Sequence, residues 1–170
     1  MARLGLALTT LALALAAVPA GAKATAHACR TGDLYVSRSF SSGAAGHVVH
    51  VFQLRNFSGA TCRMSGWLGV RLLGERGRPL TTRPKRVTRD VAGKQRRRRV
   101  TLRPGHTGSF RISTVTGDRC VEASAIRVGA PGASGRVNVP LGRRTIVACQ
   151  RGRIFVAPVQ PGNRAKPAPR

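Results

Sequence analysis

Thr107-Gly108-Ser109-Phe110-Arg111-Ile112-Ser113-Thr114 alternates at period two, with Phe110 and Ile112 on one face and Ser109, Arg111 and Ser113 on the other. That alternation predicts a half-buried strand, dry on one side and wet on the other. Just upstream, Arg103-Pro104-Gly105 makes a tight turn, and Val100-Thr101-Leu102 leads into it as a further strand. Working outward, Val48 to Leu54 puts Val48, His50, Phe52 and Leu54 on one pleat and Val49, Val51 and Gln53 on the other, as an inner strand does. Asn56-Phe57-Ser58-Gly59 then turns the chain. Leu34 to Val36, Gly69 to Leu73, Ala123 to Val128, Arg136 to Leu141 and Arg153 to Val159 complete the set. Ile126 and Val128 point inward and Arg127 outward, while Pro140 and Pro158 mark edge or terminal positions. No helical period follows the first two dozen residues. The spacing predicts an all-β chain, an antiparallel β-sandwich of seven or eight strands.

The start of the chain is of another kind. Met1 to Ala22 reads as a secretory signal peptide: Arg3, an apolar run from Leu4 to Val18, Pro19, then the small residues Ala20-Gly21-Ala22, which favour a mature start at Lys23, with Ala24-Thr25-Ala26 and Ala26-His27-Ala28 as later alternative sites. The run is short and rich in Ala, below the roughly twenty residues of a bilayer span. The expected organisation is a signal peptide at 1–22, one sandwich domain at 23–161 and a disordered basic tail at 162–170, which fits a 170-residue chain. Four cysteines, Cys29, Cys62, Cys120 and Cys149, are an even set in an exported chain and read as two disulfides. Three connectivities are possible; the even spacing favours Cys29 with Cys62 and Cys120 with Cys149. Each closed loop of about thirty residues would contribute on the order of 3 to 4 kcal/mol. Zinc ligands come in closer pairs than these, so no metal is expected.

Particular residues also carry a resemblance. Gly43-Ala44-Ala45-Gly46-His47, then Leu54-Arg55-Asn56-Phe57-Ser58-Gly59-Ala60-Thr61-Cys62, then Gly66-Trp67-Leu68-Gly69-Val70, is similar to the first half of the secreted actinobacterial family called domain of unknown function 4232. Val100 to Gly105 resembles its central strand and turn, and Arg119-Cys120 with Ala148-Cys149 its later cysteines. The likeness covers Cys29 to Pro161. It implies an immunoglobulin-like sandwich, secreted or surface-tethered, with no established activity. Leu68 stands where that family commonly has Pro, and the stretch before Val100 is more basic than the family pattern. Trp67, five positions after Cys62, does not reproduce the Cys-Trp-Cys spacing of antibody domains.

Charge is the remaining signal. Thirty Lys and Arg face five acids, for a net charge of +25, which excludes a calcium-chelating protein because such sites need converging carboxylates. From Arg76 to Arg103 twelve basic residues accompany a single acid, Asp90, in what reads as a long connection. Arginine forks pair with phosphate and carboxylate. Arg83, Lys85, Arg86, Arg89, Lys94, Arg96, Arg97, Arg98 and Arg99 are therefore the candidate contacts for anionic cell-wall polymers or lipid headgroups. The competing reading is a solvated cationic surface: twenty-six of the thirty are Arg, as a GC-rich genome supplies. No stacking platform or recognition helix supports specific nucleic-acid binding.

His47 and His50 fall on opposite strand faces, His106 on a turn and His27 in a leader remnant, which suits neither metal nor catalysis. No G-x-S-x-G elbow is present, and Asp33, Glu75, Asp90, Asp118 and Glu122 sit mostly near turns. Asp118 and Glu122 bracket Cys120, but balance against Arg119 accounts for them. Asn56-Phe57-Ser58 is a formal glycosylation sequon read as a turn. The expectation is a secreted, non-catalytic binding or structural module of the cell envelope, without cofactor. A protein-binding ectodomain using sheet edges, or an uncharacterised secreted enzyme, is the alternative.

Overall fold

The two stretches with the clearest alternation meet in one ladder, where Phe110 lies directly opposite Phe52 and the rings stack with centroids 5.2 Å apart. This is seen in a computed structural model that describes residues 26–44 and 46–163; the leader 1–22 and tail residues 164–170 lie outside the described residues. The strands in chain order are β1 (His27–Ala28), β2 (Leu34–Ala44), β3 (His47–Asn56), β4 (Cys62–Ser65), β5 (Gly69–Leu73), β6 (Arg83–Arg86), β7 (Arg89–Asp90) and β8 (Gly93–Lys94). They continue with β9 (Arg99–Leu102), β10 (Thr107–Val115), β11 (Val121–Ala123), β12 (Ala125–Gly129), β13 (Val137–Pro140), β14 (Ile146–Ala148), β15 (Arg153–Val156) and β16 (Gln160–Pro161).

The architecture is the all-β, immunoglobulin-like sandwich that the sequence predicts. One layer is the sheet β2-β3-β10-β15-β6, with β16 also paired to β10. Against it lie β13-β12-β5, β1-β4-β9 and the ribbon β11-β14. Phe52, Leu54, Phe110, Ile112, Ile154 and Val156 from the large sheet form one core with Val70, Leu72, Ile126 and Val128 and with Val100 and Leu102. Full burial of each such side chain contributes about 1.5 to 3 kcal/mol.

The strands are more numerous and less uniform than seven or eight antiparallel ones. Pairings of two residues, such as β7–β8, are too short to show a period. Ala123 to Val128, read as one strand, switches sheets at Ser124, whose N–H donates to Leu73 while its carbonyl accepts from Leu141. Two ladders, β1–β4 and β15–β6, are parallel. His27, read as part of a leader remnant, sits in β1 opposite Cys62.

Both disulfides take the sequential pairing, Cys29–Cys62 and Cys120–Cys149. The first lies in the core and ties the chain entry to β4. The second closes the end of the β11–β14 ribbon, next to a tight turn at Gln150, Arg151 and Gly152, all with positive φ. Amides of Gln150 and Arg151 donate to the carbonyls of Asp118 and Arg119 and dock that turn. Gly152 is required there: its φ is +75°, and a Cβ would overlap the Thr81 carbonyl. Asn56 of the sequon is fully buried; its amide donates to Ala60 O and Leu102 O and its Oδ1 accepts from Ser58.

The largest departure from expectation is in the stretch Thr107–Thr114. Ser109, Arg111 and Ser113 do not face water; all three are buried, Arg111 to 2% exposure. The hairpin β7–β8 folds back over the outer face of the large sheet, and Ala92 packs on Val49 and Val51 there. Asp90 receives Arg111 as a fork, Nε to Oδ2 at 2.8 Å and Nη2 to Oδ1 at 2.6 Å, with Nη2 also donating to Gly93 O. Asp90 Oδ1 accepts the Ala92 amide as well, closing the hairpin turn. A buried pair of this kind is costly to break singly, because the survivor stays charged without water. Asp90→Ala should therefore lower the unfolding free energy by about 3–5 kcal/mol in urea titration, while Asp90→Leu combined with Arg111→Met should recover most of that loss.

Candidate functional site

Residues 83–99 form a tethered ribbon rather than a free connection. Arg83, Lys85 and Arg86 lie on β6, the edge strand of the large sheet, with Pro84 between them. Edge position suits this sequence, since Pro cannot donate to a ladder and charge discourages further strand pairing. Arg89 and Lys94 face each other across the hairpin, and Arg96, Arg97 and Arg98 run on to Arg99, which opens β9 opposite Ser65. All nine are exposed. They follow one another along the chain, from the edge strand β6 through the hairpin to the start of β9.

The backbone of the ribbon is held at several points while its side chains stay outside. Val87 N donates to Val156 O, Trp67 Nε1 donates to Val87 O at 3.1 Å, and Gln95 N donates to Thr88 O. Gln160 Nε2 then donates to Arg96 O, and Arg97 Nε reaches Ser65 Oγ at 3.3 Å. Charge compensation goes the other way. The ion pairs among the described residues are His27–Asp33, Arg111–Asp90 and Arg119–Asp118. Asp90, the sole acid between Arg76 and Arg103, is spent on an arginine from another strand. The ribbon therefore presents its positive charge uncompensated.

Arg111 and Asp90 were not legible as partners. A lone acid inside a cationic stretch and an arginine between Phe110 and Ile112 are the signals that could have joined them. The histidines stay apart. His47 and His50 face opposite sides of β3, and His106 is exposed on its turn. Among the described residues no three His, Cys, Asp or Glu side chains gather as a metal-holding group. Asp118 is taken by Arg119 at the surface.

A groove of about 690 Å³ opens between the edge strands β2 and β13, lined by Tyr35, Phe57, Val137, Val139 and Arg38. Tyr35 is 62% and Phe57 64% exposed, and Arg38 donates to Leu141 O at 2.7 Å. On the inner face of β3, His50 is buried with Nδ1 on Ser41 Oγ at 2.9 Å. Its Nε2 meets no hydrogen-bond partner. Burial, aided by the nearby Arg38 guanidinium, pushes the His50 pKa down to about 4. Burial and Arg144 also lower that of Arg38.

The family model described as Domain of unknown function (DUF4232) matches residues 29–160. The chain belongs to this family. No curated protein matches it. The DUF4232 region begins at the Cys29 disulfide and ends at Gln160, the buried side chain that holds the ribbon at Arg96. The whole ribbon thus falls inside the family's domain.

The His50 environment has a consequence for acid stability. Its pKa is lower in the folded chain than the usual value near 6.5, so the unfolded chain takes up the proton first. The stability of neutral, buried His50 is intact above about pH 6.5 and is lost as pH falls toward 4, by up to about 3 kcal/mol. His50→Leu should reduce the drop in urea midpoint between neutral pH and pH 4 relative to the native chain.

Proposed function

We propose that this chain is an exported, non-catalytic binding module of the cell envelope whose ribbon 83–99 associates with anionic polymers. The observation that carries this reading is the diversion of Asp90 to Arg111. One interaction both pins the hairpin to the sheet and removes from the surface the sole acid between Arg76 and Arg103. A backbone already held in place spends little ordering entropy when a polyanion docks, and guanidinium forks meet its oxyanions with directional hydrogen bonds. Two disulfides suit an oxidising compartment, and among the described residues no helix is long and apolar enough to cross a membrane. Export itself rests on the leader sequence, and the absence of catalysis on the dispersed acids and histidines.

A rival reading, a protein-binding ectodomain, is favoured by the groove between β2 and β13 with its two exposed aromatic rings. Retention on anionic wall preparations separates the two. Replacing Arg96, Arg97, Arg98 and Arg99 by Gln should lower retention at low salt about tenfold and flatten its salt dependence, since exposed charge attraction is screened by salt. Unchanged retention and unchanged salt sensitivity would show that the ribbon is not the contact.

A further inference from the structure

The outer face of the small sheet β13-β12-β5 carries a second, separate arrangement of arginines. Arg71 and Arg127 stand directly opposite each other in the β5–β12 ladder. Arg127 is oriented from the third strand, its Nε donating to Asn138 Oδ1 at 2.8 Å. Two pairs along, and so on the same face, Gly69 is opposite Gly129, and the Arg136 guanidinium lies over both glycines. A Cβ at Gly129 would stand 3.2 Å from Arg136 Nη1, and one at Gly69 3.5 Å from the same atom. Neither glycine has a positive φ, so what the missing side chain provides, at Gly129 above all, is space for the guanidinium. None of the three arginines takes part in an ion pair among the described residues.

Like charges directly opposite on one sheet face repel and destabilise the pairing. Here the repulsion is accompanied by an amide acceptor that orients Arg127 and by a glycine pair over which the Arg136 guanidinium lies. We propose that this face is an oxyanion site that takes phosphate groups of an anionic envelope polymer through Arg71, Arg127 and Arg136. A phosphate bears enough oxygens to accept from two forks at once, and its negative charge offsets the cross-strand repulsion. The site goes beyond the ribbon 83–99 and shares with that reading only the envelope setting. The hairpin part of the ribbon covers the large sheet whereas this site lies on the small sheet of the other layer, so one molecule could bridge two polymer chains.

Inorganic tripolyphosphate titrated into the full exported chain, followed by the arginine Nε–Hε signals in NMR, tests the site. The largest shifts are expected at Arg71, Arg127 and Arg136. Arg71→Glu should weaken binding there by about tenfold or more, while its thermal midpoint stays level or rises, because a Glu–Arg cross-strand pair replaces the repulsion. Arg71→Gln should weaken binding without introducing an acid. Shifts confined to residues 83–99, affinity within about twofold of native in both variants, or a lowered midpoint in Arg71→Glu would overturn the proposal. The variant with Arg96 to Arg99 changed to Gln should keep the shifts at Arg71 and Arg127. Failure of the ribbon reading and failure of this site are thereby told apart.

Discussion

A fork of two hydrogen bonds between Arg111 and Asp90, both nearly free of solvent contact, decides what the outside of this sandwich looks like. The central strand β10 carries Arg111 between Phe110 and Ile112, so the guanidinium emerges on the face away from the core. Left there alone it would sit among Val49, Val51 and the two serines with few partners. Asp90 answers it from a hairpin that has almost no apolar surface of its own beyond Ala92. Apolar contact that small cannot hold a two-residue hairpin against its loss of chain entropy. Charge pairing in a dry setting can, and the geometry is forked and further satisfied by Gly93 O.

The frame beneath has a different source of strength. Stacked Phe52 and Phe110 join the two central strands, and the opposing layer supplies branched aliphatic side chains in place of aromatics. That layer is divided among three small sheets, which alone would be poorly cross-braced. Cys29–Cys62 fixes the parallel β1 against β4, and Cys120–Cys149 fixes the β11–β14 ribbon at its open end. The staples thus fall in the layer made of short pieces, while the long ladders of the large sheet carry none. Asn56 does a similar service without covalent chemistry, joining the end of β3 to β9 through Leu102 O.

Much of the frame was legible because its information is local. Alternation marked β3, β10 and β12, the turn chemistry at Asn56 and at Arg103-Pro104-Gly105 marked their ends, and even cysteine spacing gave the pairing that the structure has. Residues 83–99 were legible as the cationic feature but not as structure, since their strands are short and their order comes from distant partners: Arg111, Trp67, Gln160 and Val156. The same non-locality hid the second buried face of β10. Alternation separates two faces of a strand; it cannot say that a hairpin some twenty residues upstream will cover the polar one. Arg71 and Arg127 belong to strands identified correctly, yet their opposition depends on register, which no single segment contains.

Composition bias and placement make different kinds of demand on a sequence. A genome that favours arginine codons raises the count everywhere and accounts for a charge of +25 without any ligand. It does not account for an acid withdrawn from the surface at the one point where it would have neutralised the ribbon. Nor does it place Gly129 in register with Gly69 under a third arginine, where a Cβ at Gly129 would stand 3.2 Å from the Arg136 guanidinium. Drift adds charge at positions that tolerate it, whereas these features require particular small or acidic residues at positions in register with the arginines. A high count of positive charges needs no ligand to explain it; their orientation rests on residues that are not basic at all.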